Sequence, residues 1–216
     1  SAASILTADD TISGGAGTDT LLVDTNATTL TDVMFTNITS VETLTGDSDA
    51  EVTVTLGAKA DAAGVATVNM IGNGANSVTV TSAFDNALTV DLNNTTIADN
   101  VDASASSTVL SVTAEAEDLT ATDTVKGGTG TSDSITLTAD DTTATTTLMT
   151  GIETITVKYA ANKGIGITMG ANDTQIAAGK TLTVDASALS ETDEAFTFSG
   201  SASELDGFLS ITGGTA

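Results

Sequence analysis

Cysteine, histidine, proline, tryptophan and arginine are all absent from this 216-residue chain, and its five basic residues are lysines. Without cysteine there are neither disulfides nor thiolate metal sites. Without histidine the usual zinc ligand and the usual general base are missing. Five lysines against 29 acidic residues leave a formal net charge of −24. Nothing here could neutralise a row of phosphates, so nucleic acid is excluded as a partner, and an anionic membrane surface is excluded for the same reason. No apolar run approaches the roughly 20 residues that cross a bilayer, which argues against membrane insertion. No basic-then-apolar signal peptide opens the chain. It also lacks an initiator methionine and stops inside a motif, so the expectation is a fragment, a processed product or one section of a longer repetitive protein, and the missing signal says little about location.

What is present argues for a folded chain. Hydrophobic residues make up 40% of it, unlike an acidic disordered tail. The excess carboxylate repels itself in a compact state unless distance or divalent cations relieve it. Short alternating segments rich in Val, Thr, Leu and Ile recur every 10 to 15 residues or so, punctuated by Gly, Asn, Asp and Ser. Val52–Leu56, Ser77–Thr81, Thr108–Thr113, Ile152–Lys158 and Thr181–Asp185 are clear cases. This predicts an all-β chain, with single helical turns at Thr31–Thr36 and Ala144–Thr150. Aromatics are only 3%, whereas immunoglobulin-type sandwiches carry a large aromatic in the core. Threonine-rich strands suit the stacked ladders of a parallel β-solenoid. That is the favoured fold class, with tandem β-sandwich domains as the alternative.

Nine residues specify chemistry. Gly14-Gly15-Ala16-Gly17-Thr18-Asp19-Thr20-Leu21-Leu22 reads G-G-x-G-x-D-x-U-x, with U a large aliphatic. Glycines permit a tight turn with inward carbonyls, the aspartate adds a charged oxygen, and the aliphatic residue plugs a core. Ile5–Ser13 keeps Asp10 and Ile12 in the same slots without the glycines. The couplet recurs as Asp123–Lys126 followed by Gly127–Ile135, with one extra residue before Asp133, and a third copy begins at Ile211–Ala216. These residues resemble the nonapeptide repeat of RTX proteins, secreted calcium-binding toxins, proteases, adhesins and surface-layer proteins. The phrases VDASA, SVETLT and NSVTVTS are similar to the threonine-rich solenoid of bacterial RTX-type surface-layer proteins. The resemblance implies RTX-like calcium loops: Ca2+ on Asp19 and the carbonyls of Gly14, Ala16 and Gly17, with Asp10 beside them, and a second ion on Asp133, Gly127, Thr129 and Asp123.

The motif copies divide the chain into a first solenoid unit at residues 1–117, a second at 118–206 and the start of a third at 207–216. Both full units run from a glycine loop to a matching strand, Val41-Glu42-Thr43 in one and Ile152-Glu153-Thr154 in the other. Glu42 and Glu153 therefore share a structural role. Asp102 and Asp185, each in a VDAS phrase, fit turn caps bonded to backbone amides. The loop acids Asp47–Glu51, Glu191–Glu194 and Asp140–Asp141 read as solvated charge. Two carboxylates can hydrolyse a glycosidic bond, but one tyrosine and no arginine leave little to hold a sugar, so no enzyme activity is expected. The reading is a structural extracellular protein: a calcium-stabilised segment of a bacterial surface layer or surface fibre, secreted to the cell surface and self-associating into a lattice or filament. The alternative is an adhesin module that binds glycan or another cell surface.

Overall fold

Thr-Val-Thr and Thr-Ile-Thr triplets alternate a β-branched polar residue with an aliphatic one, which suits a strand with one wet face and one buried face. The computed structural model describes residues 6–23, 28–46, 51–71, 74–93, 97–171, 173–200, 204 and 206–215. In it the triplets become rungs of a parallel β-solenoid. Nine strands stack in chain order as a front sheet: Thr20–Val23, Thr43–Gly46, Thr67–Met70, Leu88–Leu92, Leu110–Glu115, Ser134–Thr138, Thr154–Lys158, Thr181–Asp185 and Phe208–Thr212. Six form a back sheet: Thr28–Leu30, Val52–Leu56, Ser77–Val80, Asn100–Asp102, Thr124–Lys126 and Leu148–Thr150. Thr143–Thr145, Ile165–Thr168 and Phe196–Ser199 make a third sheet, and Ile12–Ser13 pairs with Ile38–Thr39. Each described pairing is parallel. That overturns the tandem-sandwich alternative, whose sheets are antiparallel.

Register stacks like on like. In the front sheet Leu44, Val68, Val90, Val112, Ile135, Ile155 and Val184 form one continuous inward ladder, each at most 1% exposed. Leu30, Val54, Val78, Val101, Val125 and Met149 form its counterpart in the back sheet. The two ladders are the core, and Phe35 and Phe84 are buried with them. Outward, two columns flank the front ladder. The first is Thr20, Thr43, Thr67, Thr89, Ser111, Ser134, Thr154, Thr183 and Ser210; the second is Leu22, Thr45, Asn69, Asp91, Thr113, Thr136, Thr156, Asp185 and Thr212. A slip of one residue would bury these columns and expose the aliphatics, so the alternation fixes the register.

The expected turn at Thr31–Thr36 is a 3-10 helix, Asp32–Phe35. The one expected at Ala144–Thr150 is instead two strands, Thr143–Thr145 and Leu148–Thr150. Ile165–Thr168 and Thr124–Lys126 supply their ladder partners, and threonine's branched Cβ favours the extended chain. An unanticipated helix spans Ala58–Ala63. Its first amides, those of Gly57, Lys59 and Ala60, donate to the Asp32 carboxylate from the neighbouring coil, and Gly64 ends it at φ 101°. The sequence echo maps only partly onto the fold. Val41-Glu42 and Ile152-Glu153 both lead into front-sheet strands, whereas the two VDAS phrases fall on different sheets.

The ladder makes stability position-specific. Ile135→Ala should remove about 2–5 kcal/mol, seen as a lower urea midpoint at unchanged slope. Thr136→Ala on the outer face of the same strand should cost no more than about 1 kcal/mol.

Candidate functional site: glycine loops and inter-coil carboxylates

The first two glycine loops sit at corners where one coil climbs to the next, and close approach explains the first glycine of each. A Cβ on Gly14 would lie 1.8 Å from the Ser40 carbonyl oxygen, and one on Gly127 would lie 1.9 Å from that of Gly151. Ser40 and Gly151 are themselves left-handed, at φ 53° and 66°. Glycine is therefore required here by backbone packing, whatever else the loop does. The loops then diverge. Gly15 and Gly17 are left-handed, at φ 97° and 120°. In the second copy Gly128 packs against the Ser106 carbonyl, which also accepts the Thr129 amide at 2.8 Å. The third copy repeats that contact, with Gly214 against the Leu189 carbonyl and the Thr215 amide donating to it at 3.1 Å.

The two motif aspartates end in different environments. Asp133 is fully buried; its Oδ1 accepts the Leu110 amide at 2.8 Å and its Oδ2 the Gly128 amide at 2.6 Å. Asp19 packs against Gly14 in the same way, but its Oδ2 is buried with no hydrogen-bond partner. Both aspartates donate their own amides to a glutamate one coil on: Asp19 to Glu42 at 2.8 Å and Asp133 to Glu153 at 2.9 Å. The carbonyls of both aspartates in turn accept the amides of those glutamates. The matching glutamates thus share the structural role their positions suggested. Burial raises the Glu153 carboxyl above its ordinary range.

The other expected ligands lie elsewhere. Asp10 is exposed and its Oδ2 accepts the Thr7 amide and hydroxyl at 2.7 and 3.0 Å. Asp123 is buried; its Oδ1 takes the Asp99 amide and its Oδ2 the amide and hydroxyl of Thr120. Ala16 and Gly17 are exposed. The structure therefore brings Gly14 to Asp19, and Gly127 and Gly128 to Asp133, but it ties Asp123 to Asp99 and Thr120. Among the described residues, three carboxylates converge at Glu115, Glu117 and Asp140 and at Asp173, Glu204 and Asp206; neither cluster was anticipated. Asp47 to Ala50 lie outside the described residues. Asp102 and Asp185 do cap their turns, accepting the amides of Ser104 and Ser187. Burial acts to raise the Asp102 carboxyl, but its bonds to Lys126 and Ser104 hold it below the ordinary range.

A rule emerges that sequence reasoning missed. At the corners, side-chain oxygens of one coil accept backbone amides of the adjacent coil. Asn76 takes the Val52 amide, Asp99 that of Asn76, and Asp123 that of Asp99, at 2.7 to 2.9 Å. Asp61 takes the amides of Asp85 and Asn86, Asp140 that of Glu117, and Asp141 that of Gly164. The signal was the recurrence of Asn76, Asp99 and Asp123 at the coil length. Burial pushes the Asp99 carboxyl up to about 7; the Asn76 amide counteracts this, and the charges of Asp123 and Asp118 add to it. Burial likewise takes Asp118 up to about 6, with Glu115, Glu117 and Asp140 contributing.

No protein-family model, curated protein or solved structure matches this chain.

Asp99 has a folded-state pKa above its unfolded value of about 3.9. The native chain therefore holds a proton between roughly pH 4 and 7 that the unfolded chain has lost, so stability should fall as pH rises from about 4 to about 7 and level off above that. Asp99→Asn keeps an acceptor for the Asn76 amide and removes the charge. It should stabilise the chain by about 1–3 kcal/mol at pH 8 and by almost nothing at pH 4, as read from urea midpoints at the two pH values.

Proposed function

We propose that this chain is a structural, calcium-stabilised segment of an extracellular bacterial surface layer or surface fibre. The observation that carries the reading is the Asp19 carboxylate, one oxygen of which is buried in a glycine loop without a partner. An unpaired buried carboxylate oxygen is costly, and a bound cation removes the cost. The donor set fits calcium, which takes six to eight hard oxygens from carboxylates and carbonyls. Asp19 would hold the ion with the carbonyls of Gly14, Ala16 and Gly17, and neighbouring chain or water would supply the remaining oxygens. Asp133 already satisfies two amides, so its loop serves chiefly as a coil-to-coil brace. A bound ion would neutralise acidic charge at the corner and lock the first coil, coupling folding to an environment where calcium is abundant.

The long in-register stack supports a spacer or lattice element, because every coil is built to contact its neighbours and the load is carried by backbone ladders. Calcium at millimolar concentration should raise stability by about 1–3 kcal/mol if the loop binds as weakly as extracellular modules do. Thermal melts with calcium and then with a chelator measure this, and an unchanged melting temperature would sink the calcium reading. Asp19→Asn should abolish the calcium-dependent shift. Asp133→Asn should keep the shift while lowering the melting temperature in both buffers, because it turns one of the two oxygens that accept the Leu110 and Gly128 amides into an NH2 donor.

A further inference from the structure

The two outward columns of the front sheet form a regular surface. Every member of both is half-buried or exposed. Threonine or serine occupies all nine rungs of the first column and five of the second. Parallel register sets the spacings, about 4.8 Å from rung to rung and about 6.6 Å between columns. Threonine's branched Cβ restricts χ1, so hydroxyls and methyls repeat along the stack in few orientations. Charge is scarce here: although the chain carries 29 acidic residues, the columns contain only Asp91 and Asp185. Asp91 is engaged by the Thr113 hydroxyl at 2.7 Å.

The occupant that suits this face is neutral, repeats in two dimensions and presents hydrogen-bonding oxygens. A flexible glycan or an ordinary protein surface offers no rigid two-dimensional repeat. Crystalline water does. Tetrahedral O–H···O contacts of about 2.75 Å place second-neighbour oxygens about 4.5 Å apart and repeat the lattice about every 7.3 Å along its hexagonal axis. The rung and column spacings lie within about a tenth of these two distances. We propose that the threonine face of the front sheet binds ice, by holding a layer of water in register with a crystal plane. The hydroxyls anchor that layer, and the methyls between them leave its waters to bond one another. The face begins at Thr20, next to Asp19, but its central rungs lie several coils from the Gly14–Asp19 loop, so it needs calcium only to the extent that the fold does.

Partition into a slowly growing ice front tests this on the purified chain in calcium-containing buffer. The wild type should be enriched in the ice fraction several-fold over a globular control protein. Thr113→Tyr and Thr136→Tyr place rings on adjacent central rungs and should bring the enrichment down to the control level. Thr55→Tyr and Thr79→Tyr, on the outer face of the back sheet, should leave it intact. Circular dichroism and melting temperature establish that each variant is folded. If Thr113→Tyr does not fold, Thr136→Val, which exchanges a hydroxyl for a methyl and leaves the Thr113 bond to Asp91 in place, replaces it and should lower the enrichment at least twofold. Exclusion of the wild type from ice would overturn the proposal, as would equal loss in the back-sheet variants. A dimer that Thr113→Tyr splits would also overturn it, because the occupant would then be a second copy of this chain.

Discussion

Side-chain oxygens that reach across to the backbone amides of the next coil are the interaction on which the rest of this structure depends. A parallel solenoid pairs its amides along the rungs and strands them at the corners, where the chain turns and the ladder breaks. Left buried and unpaired, each such amide would cost about 1–3 kcal/mol. Asp32, Asp61, Asn76, Asp99, Asp123, Asp133, Asp140 and Glu153 each accept amides from an adjacent coil. Because donor and acceptor lie about one coil apart in sequence, each bond ties neighbouring turns and carries the stack upward.

The strongly acidic composition follows in part from this device. A carboxylate is a pure acceptor with room for several donors, so it suits a corner that offers only N–H groups. Many corners of this kind concentrate negative charge. Lysine answers it at Asp102 and Asp141, with Nζ to carboxylate distances of 2.8 Å. Elsewhere among the described residues amides, hydroxyls and burial carry most of this, and at Asp99 burial wins and the carboxyl is lifted toward neutrality. Asp19, like Glu194, keeps a buried oxygen without a partner, and it lies in the glycine loop whose Gly15 and Gly17 are both left-handed. That contrast with Asp133 separates a loop that leaves a carboxylate oxygen unpaired from a loop of similar sequence that braces two coils.

The longer strands of both sheets are legible from alternation alone. Val52–Leu56 and Thr181–Asp185 were read with their observed limits, because a period of two and β-branched residues leave few other conformations. The short back-sheet strands Asn100–Asp102 and Thr124–Lys126 were not, since three residues carry too little periodicity. Their extended state comes from the rungs on either side. The helix at Ala58–Ala63 also escaped notice, because its N-terminal cap is Asp32, some 25 residues earlier and one coil away. The helical turn expected at Ala144–Thr150 gives way to two strands for the same kind of reason: their ladder partners are distant in sequence.

By itself the sequence determined the class of fold and the inward and outward faces. Those depend on periodicity and branching, which act locally. It also set the glycines at the corners and the excess of acid. Only the tertiary structure decided which acids face amides and which oxygens are left over, because both depend on what surrounds each corner. It likewise decided that threonines spaced 20 to 29 residues apart align into columns. Stacking in register turns a composition bias into a surface.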